Sequence, residues 1–191
     1  WWYDDGTMTT DMGPAQGHVK VFITVDLAIS TKQSADPTVM AVWGLDNARR
    51  LYLLALERKR IPAPSQARLI ERLNRKWNPH TILVEDVAYQ RAFVQHAASK
   101  GLPVKGVRPQ GNKLARSVAA SDMMQRGHIA FPMTAPWLDT LHGELLAFPN
   151  GRHDDIVDAL SYAAQHAQTK RRRVSLKGWT LDPDLIKPRG I

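Results

Sequence analysis

The chain contains no cysteine among its 191 residues. Disulfide bonds and thiolate metal sites are therefore excluded, and an intracellular protein is the simpler interpretation. No run approaches the roughly 18 consecutive apolar residues of a membrane span, and no signal peptide opens the chain. We therefore expect no membrane partner. Because the chain begins with Trp1 rather than Met, we also expect a piece cut from something longer.

Acidic residues are few: 18 Asp and Glu stand against 26 Lys and Arg, which gives a net charge of +8. So basic a chain favours a polyanionic partner, with nucleic acid the first candidate. The alternative is a basic surface that serves only solubility. Residues 170–191 carry seven basic and two acidic side chains, yet residues 21–169 are basic in their own right.

Three segments differ in composition. Residues 1–18 are polar and contain glycine, which is typical of a linker or lead-in. Residues 19–168 show regular hydrophobic periodicity and are predicted to form one folded domain. Residues 169–191 lack periodicity and are expected to form a basic C-terminal tail.

Alternating apolar residues predict a strand that ends at Asp26. Two further apolar runs, 38–45 and 50–60, are separated by turn residues, so an antiparallel meander is expected. Helix and strand patterns then alternate to residue 109, with a helix at 112–127, a short extended piece at 128–132 and two final helices. We predict an α/β fold, a mixed five-stranded sheet of an antiparallel meander plus parallel strands, with helices on both faces.

Carboxylates lie at the ends of predicted elements. Asp26 ends the first strand, Glu85 ends the strand in "TILVEDV", and Asp154 and Asp155 start the last helix. Neighbouring strands lie roughly 5 Å apart, so Asp26 and Glu85 could share one ion. Oxygen ligands without cysteine select Mg²⁺ or Mn²⁺. Two such ions about 4 Å apart can activate a water and stabilise the leaving oxygen of a phosphodiester. Without DNA we expect one ion or none, because Mg²⁺ often uses substrate phosphates as ligands.

Each of these residues also has a purely structural interpretation. Acidic residues favour helix N-termini, so Asp154 could be a helix cap and Asp26 a turn residue. Asp86 could face away from the site, and Asp158 could join a hydrogen-bond network beneath it. His153 could polarise a water or bind phosphate, although a single histidine is more often structural.

Several stretches together resemble the C-terminal nuclease domain of the large terminase subunits of tailed bacteriophages. In order, they are "VDLAISTKQSADPTVMAV", "ILVEDVAYQRAFVQHA", "GVRPQGNKLARSVAASDMMQRGHIAFP" and "LLAFPNGRHDDIVDALSYA". The resemblance covers roughly residues 20–168. It implies a ribonuclease H-like fold of the resolvase type and a metal-dependent endonuclease that cuts concatemeric viral DNA during genome packaging.

By this resemblance, the catalytic metal ligands are Asp26, Glu85 and the Asp154–Asp155 pair, with Asp155 preferred over Asp154. Asp36 matches an acidic position of the first stretch and, like Asp86 and Asp158, is expected beside the ligands rather than among them.

Lys113 and Arg116 match a basic pair one helical turn apart. We interpret them, with His153, as contacts to DNA phosphates; a solvated helix start is the alternative.

The resemblance also implies partners and a location. Besides double-stranded DNA, the expected partners are the packaging ATPase domain, the portal protein and the small terminase subunit, in the cytoplasm of an infected bacterium. The chain has no G-x-x-x-x-G-K-[ST] phosphate loop, so it cannot itself be the packaging motor. Two alternatives stay open: a Holliday-junction resolvase or transposase-like nuclease of the same fold, and a non-catalytic module that docks DNA or the portal.

Overall fold

The computed structural model describes residues 2–4, 7–10, 13–14, 19–28, 36–86, 90–108 and 112–169. Nine strands lie in this part of the chain: β1 Trp2–Asp4, β2 Thr7–Thr10, β3 Gly13–Pro14, β4 Lys20–Asp26, β5 Thr38–Leu45, β6 Leu51–Lys59, β7 Thr81–Glu85, β8 Val104–Val107 and β9 Ile129–Ala130. The helices are α1 Ala63–Trp77, α2 Gln90–Ser99, α3 Lys113–Gln125, α4 Leu138–Ala147 and α5 Asp155–Gln168.

The first three strands form a small antiparallel sheet of their own, in the order β1-β2-β3. They fall within the predicted lead-in, where the polar sequence has no alternation that would indicate strands. The predicted tail lies outside the described residues beyond Thr169.

The main sheet has the order β8-β7-β4-β5-β6-β9. β4, β5 and β6 pair antiparallel as the predicted meander, and β7 and β8 add parallel to β4 on one side. The mixed sheet is therefore confirmed, with six strands rather than five. The extra strand, β9, pairs parallel with the start of β6 and has only two residues, too few for a periodic signal.

Two hydrophobic cores cover the two faces of the main sheet. On one face, Phe22 and Trp43 pack with residues of α3, α4 and α5, such as Leu160. On the other face, Ile23 packs with residues of α1, such as Ile70. Successive strand residues alternate between these cores, which confirms helices on both faces.

In the described part of the chain, no helix combines the length and apolar character needed to cross a membrane.

Candidate metal centre

Asp26 and Glu85 lie side by side at the ends of two parallel strands. The register pairs Val25 with Val84, so Asp26 and Glu85 are the next residues on β4 and β7. Leu83 lies in the core beneath α5, and alternation therefore directs Glu85 to the same face. The two strands are therefore neighbours, which is the condition for Asp26 and Glu85 to share one ion.

Helix α5 crosses this face of the sheet, contacting β4, β5 and β6, and brings its acidic first turn to the same edge. The pKa of Asp26 is raised to about 8, chiefly by burial and also by the nearby carboxylates of Asp158, Asp155 and Glu85, while Lys113 acts in the opposite direction. Carboxylates from two distant segments, β7 and α5, thus converge on Asp26. A divalent cation would remove the repulsion among them.

Asp155 is buried, with 4% of its surface exposed. Its Oδ2 atom accepts no hydrogen bond from any described residue, and the nearest cation, Arg58 Nη2, is 3.7 Å away. Burial raises its pKa to about 6, with Asp36 and Glu144 adding to the effect and Arg58 opposing it. A buried carboxylate oxygen that accepts no hydrogen bond is unusual and fits a group that binds an ion.

A second cluster joins Asp155 to the loop before β5. Ligand atoms of Asp36, His153 and Asp155 all lie within 4.8 Å of one another, close enough to hold a metal ion. His153 Nδ1 is 3.2 Å from Asp36 Oδ1, and Asp36 is largely exposed. Asp155 is therefore placed between two groups of potential ligands, one with Asp26 and Glu85 and one with Asp36 and His153.

Lys113 and Arg116, at the start of α3, face the carboxylates of α5 rather than open solvent. Lys113 Nζ lies 2.5 Å from Asp154 Oδ2 and 2.7 Å from Asp158 Oδ2, and Arg116 Nη2 lies 3.3 Å from Asp158 Oδ1. Burial lowers the pKa of Lys113, but its hydrogen bonds to the two aspartates outweigh this and raise it. In the structure this basic pair therefore binds carboxylates of α5, and its contact with DNA phosphates stays a prediction.

Asp154 occupies the N-cap position of α5, but its side chain accepts no capping hydrogen bond. Instead, Glu144 of α4 fills that role: its Oε1 accepts from the backbone N–H groups of Ile156 and Val157 at 2.5 and 3.3 Å. The acidic start of α5 therefore does not serve as a conventional cap of its own helix.

Asp86 is directed away from this group of carboxylates. It pairs with Arg91 at 3.1 Å and Arg108 at 3.2 Å, and hydrogen bonds from these guanidinium groups lower its pKa. These contacts agree with the interpretation in which Asp86 faces the other way from Glu85.

Three residues of the site, Arg58, Glu144 and Tyr162, are absent from the sequence predictions. Arg58 on β6 lies 3.5 Å from Glu144 and 3.7 Å from Asp155, so it neutralises both acids. Tyr162 on α5 hydrogen-bonds Glu85, and burial raises the pKa of its hydroxyl. Strand register explains why Arg58 lies near the site. Arg58 pairs with Val39 on β5, and Val39 pairs with Asp26 on β4.

Comparison with known families gives one match, which covers most of the chain. The model of the family described as "Terminase RNaseH-like domain" matches residues 23–167. The chain belongs to this terminase RNaseH-like family. The match spans β4 to α5 and so includes every carboxylate described above. Comparison with curated protein sequences gives no match.

Solved structures show the same fold. The large terminase nuclease from thermophilic phage G20c, crystallised with bound magnesium, is 18% identical with a TM-score of 0.61, covering 79% of this chain and 83% of that one. The zinc-bound structure of that nuclease is 19% identical with a TM-score of 0.60, covering 82% and 85%. The cobalt-bound structure of that nuclease is 17% identical with a TM-score of 0.60, and the match covers 79% of this chain and 83% of that one. The predicted ribonuclease H-like fold and terminase nuclease resemblance are confirmed.

Proposed function

We propose that this domain is a Mg²⁺- or Mn²⁺-dependent endonuclease that cuts concatemeric viral DNA during genome packaging. The observation that carries the proposal is the convergence of Asp26, Glu85 and Asp155 at one sheet edge, where the buried Asp155 Oδ2 accepts no hydrogen bond from any described residue. Membership of a terminase family gives this site its DNA context. The G20c nuclease, which shares the fold, was crystallised with magnesium, zinc and cobalt.

Asp26, Glu85 and Asp155 would hold the ions, with Asp154 as a further ligand once it is released from Lys113. This donor set consists of hard oxygen atoms, which suits Mg²⁺ and Mn²⁺. Asp36 and His153 could complete a second position around Asp155. When bound, two ions would supply the Lewis-acid chemistry that lowers the pKa of an attacking water and stabilises the departing 3′ oxygen.

The other residues of the site hold this arrangement in place. Tyr162 fixes the Glu85 carboxylate by its hydrogen bond, and Glu144 fixes the first turn of α5 and thus Asp155. Lys113 neutralises Asp154 and Asp158 in the absence of ions and lies within reach of a phosphate that approaches the same edge. Arg116 contributes a further positive charge, so backbone phosphates rather than base edges would be bound.

The proposed partners are double-stranded DNA, the packaging ATPase domain, the portal protein and the small terminase subunit. The proposed location is the cytoplasm of the infected bacterium. Family membership supports this context, because a terminase nuclease acts where the viral genome is packaged.

Nicking and linearisation of supercoiled plasmid test the proposal, with Mg²⁺, Mn²⁺, Ca²⁺ or EDTA. We expect the wild type to cut with Mg²⁺ or Mn²⁺, and Asp26→Asn and Asp155→Asn each to lower the rate by at least about 100-fold, more than loss of an outer-shell group. Asp139→Asn, an exposed carboxylate on α4, is the matched control and should keep the activity. If all four proteins cut equally, the activity is a contaminant and the proposal is wrong.

A further inference from the structure

A cleft leads away from the carboxylates along α5. It lies between α5 and the edge strand β8, has a volume of about 670 Å³, and begins at Tyr162, the residue that hydrogen-bonds Glu85. Lys105 and Arg108 line it from the β8 side. The cleft therefore starts at the candidate metal centre and runs toward the opposite end of the sheet.

At that opposite end the cleft meets a second cavity of about 800 Å³. Arg49, His166 and Thr169 line both spaces, so the cleft and the cavity lie on the two sides of one shared wall, in which Arg49 Nη2 donates a hydrogen bond to the backbone oxygen of Thr169 at 2.7 Å. Lys20, the first residue of β4, lines the second cavity. Because Lys20 and Asp26 are the two ends of β4, this cavity lies roughly 20 Å from the candidate metal centre, at about 3.3 Å per strand residue.

The lining carries positive charge that no described carboxylate balances. Lys20 and Lys105 are exposed, and neither has an ion pair with any residue that the structure describes. The two acids of the second cavity are already engaged: Asp46 is bound by Arg50 at 2.8 Å, and Asp122 by Arg126 at 2.9 Å.

His166 lies in the wall between the cleft and the cavity, and positive groups lie around it. The pKa of this imidazole is lowered to about 4, chiefly by burial and also by the charges of His80, Arg49 and Lys105. The imidazole is therefore neutral at physiological pH, and the lysines and arginines supply the charge. The sequence adds four consecutive basic residues, 170–173, directly after Thr169.

We propose that the cleft and the cavity together form a track for the phosphate backbone of one DNA strand, with Lys105 and Lys20 as its phosphate contacts. The proposal rests on the proposed function, since it gives the DNA a path away from the cutting site. A span of roughly 20 Å corresponds to about six nucleotides at 3.4 Å per step. Lys20 and Lys105 would contribute affinity without reading sequence, because contacts to backbone phosphates carry no base information.

Fluorescence anisotropy with a labelled 40-base-pair duplex tests the track, with Ca²⁺ in place of Mg²⁺ and the DNA checked for intactness. Lys20→Ala combined with Lys105→Ala should weaken binding at least about fivefold at 0.1 M salt and reduce the salt slope by about 2. The matched control combines Lys76→Ala and Lys100→Ala, two exposed lysines outside the track, and should change the affinity less than twofold. Thermal melting of both double variants verifies that they are folded.

Site-directed crosslinking locates the contact independently. Because the chain has no cysteine, Lys105→Cys can carry a single photoreactive group, with Lys76→Cys as its control. We expect crosslinks from position 105 within roughly six nucleotides of the cut and none from position 76. If the two double variants bind DNA alike, or if position 105 gives no crosslink, the track is wrong even when the wild type cuts DNA. If the wild type binds no DNA, the proposed function fails as well.

Discussion

Glu144 accepts a hydrogen bond from the backbone N–H of Ile156 at 2.5 Å, and so one helix supplies the N-terminal cap of another. The N-terminus of a helix has unpaired N–H groups that a carboxylate can satisfy. Here an acid from α4 satisfies them, which leaves Asp155 in the same turn available for other chemistry. Concentrating three aspartates at residues 154–158 is therefore not explained by helix capping.

Replacing Glu144 by alanine should lower the free energy of unfolding by about 1–3 kcal/mol, because two buried N–H groups lose their acceptor. Glu144→Gln keeps a carbonyl acceptor and should recover part of this loss. Thermal or urea unfolding measures both. Equal destabilisation by alanine and glutamine would contradict a role for the hydrogen bonds to α5.

Asp26→Asn should stabilise the metal-free protein at alkaline pH. The pKa of Asp26 is raised from 3.8 to about 8, so the folded state holds a proton that the unfolded state has lost between these values. Wild-type stability therefore falls as pH rises from about 4 to about 8. The variant does not lose this stability, because asparagine does not titrate. We expect the variant to gain roughly 1–3 kcal/mol at pH 8.5, after allowance for solvent screening, and little at pH 4.

Melting temperatures of wild type and Asp26→Asn in EDTA, from pH 4 to pH 9, test this prediction. Asp139→Asn, on the exposed surface of α4, is the control and should follow the wild type. A constant difference between Asp26→Asn and wild type at every pH would show that Asp26 is not held protonated by its neighbours.

Lys113→Met should destabilise the metal-free protein, because Asp154 and Asp158 would lose the ammonium group that lies 2.5 and 2.7 Å from them. Divalent ions should restore more of the melting temperature in this variant than in the wild type. Adding Asp154→Asn to Lys113→Met should reduce the destabilisation, since less negative charge is left unpaired. If metal stabilises both proteins equally, Lys113 does not act as the counter-ion of this site.

Much of the fold could be predicted because the strands carry clear signals. The alternation through Ile23 and Val25 fixes β4, and the crossover helices make β7 parallel to it. The extended piece at 128–132 could be predicted, but the pairing of two of its residues with β6 as strand β9 could not, because a pairing so short leaves no periodicity. Within residues 1–18 the polar sequence likewise gave no indication of strands.

The positions of Asp26 and Glu85 could be predicted because each ends a strand. The contacts of Arg58, Glu144 and Tyr162 could not, because they join segments far apart in sequence and depend on how helices pack on the sheet. The contacts of Asp86 could not be predicted either. Its neighbour Glu85 faces α5, whereas the structure shows Asp86 paired with two arginines.

The proposed packaging nuclease should cut linear duplex or plasmid DNA at least as fast as a four-way junction of equal length. A junction resolvase of the same fold would show the opposite preference. Cleavage of end-labelled linear and junction substrates under identical Mn²⁺ concentration measures the ratio. A junction preference of about tenfold or more, equivalent to 1.4 kcal/mol in the barrier, would favour the resolvase alternative.

The most direct test of the account is to locate Mn²⁺ by anomalous diffraction from crystals grown with saturating Mn²⁺ and a DNA duplex. We expect a peak shared by the carboxylates of Asp26 and Asp155, with oxygen distances of roughly 2.0–2.2 Å, close to those of Mg²⁺. A second peak beside Glu85 or beside Asp36 and His153 would place the second ion. Absence of any peak at Asp26 and Asp155, with DNA present in the crystal, would contradict a metal-dependent nuclease at this edge of the sheet.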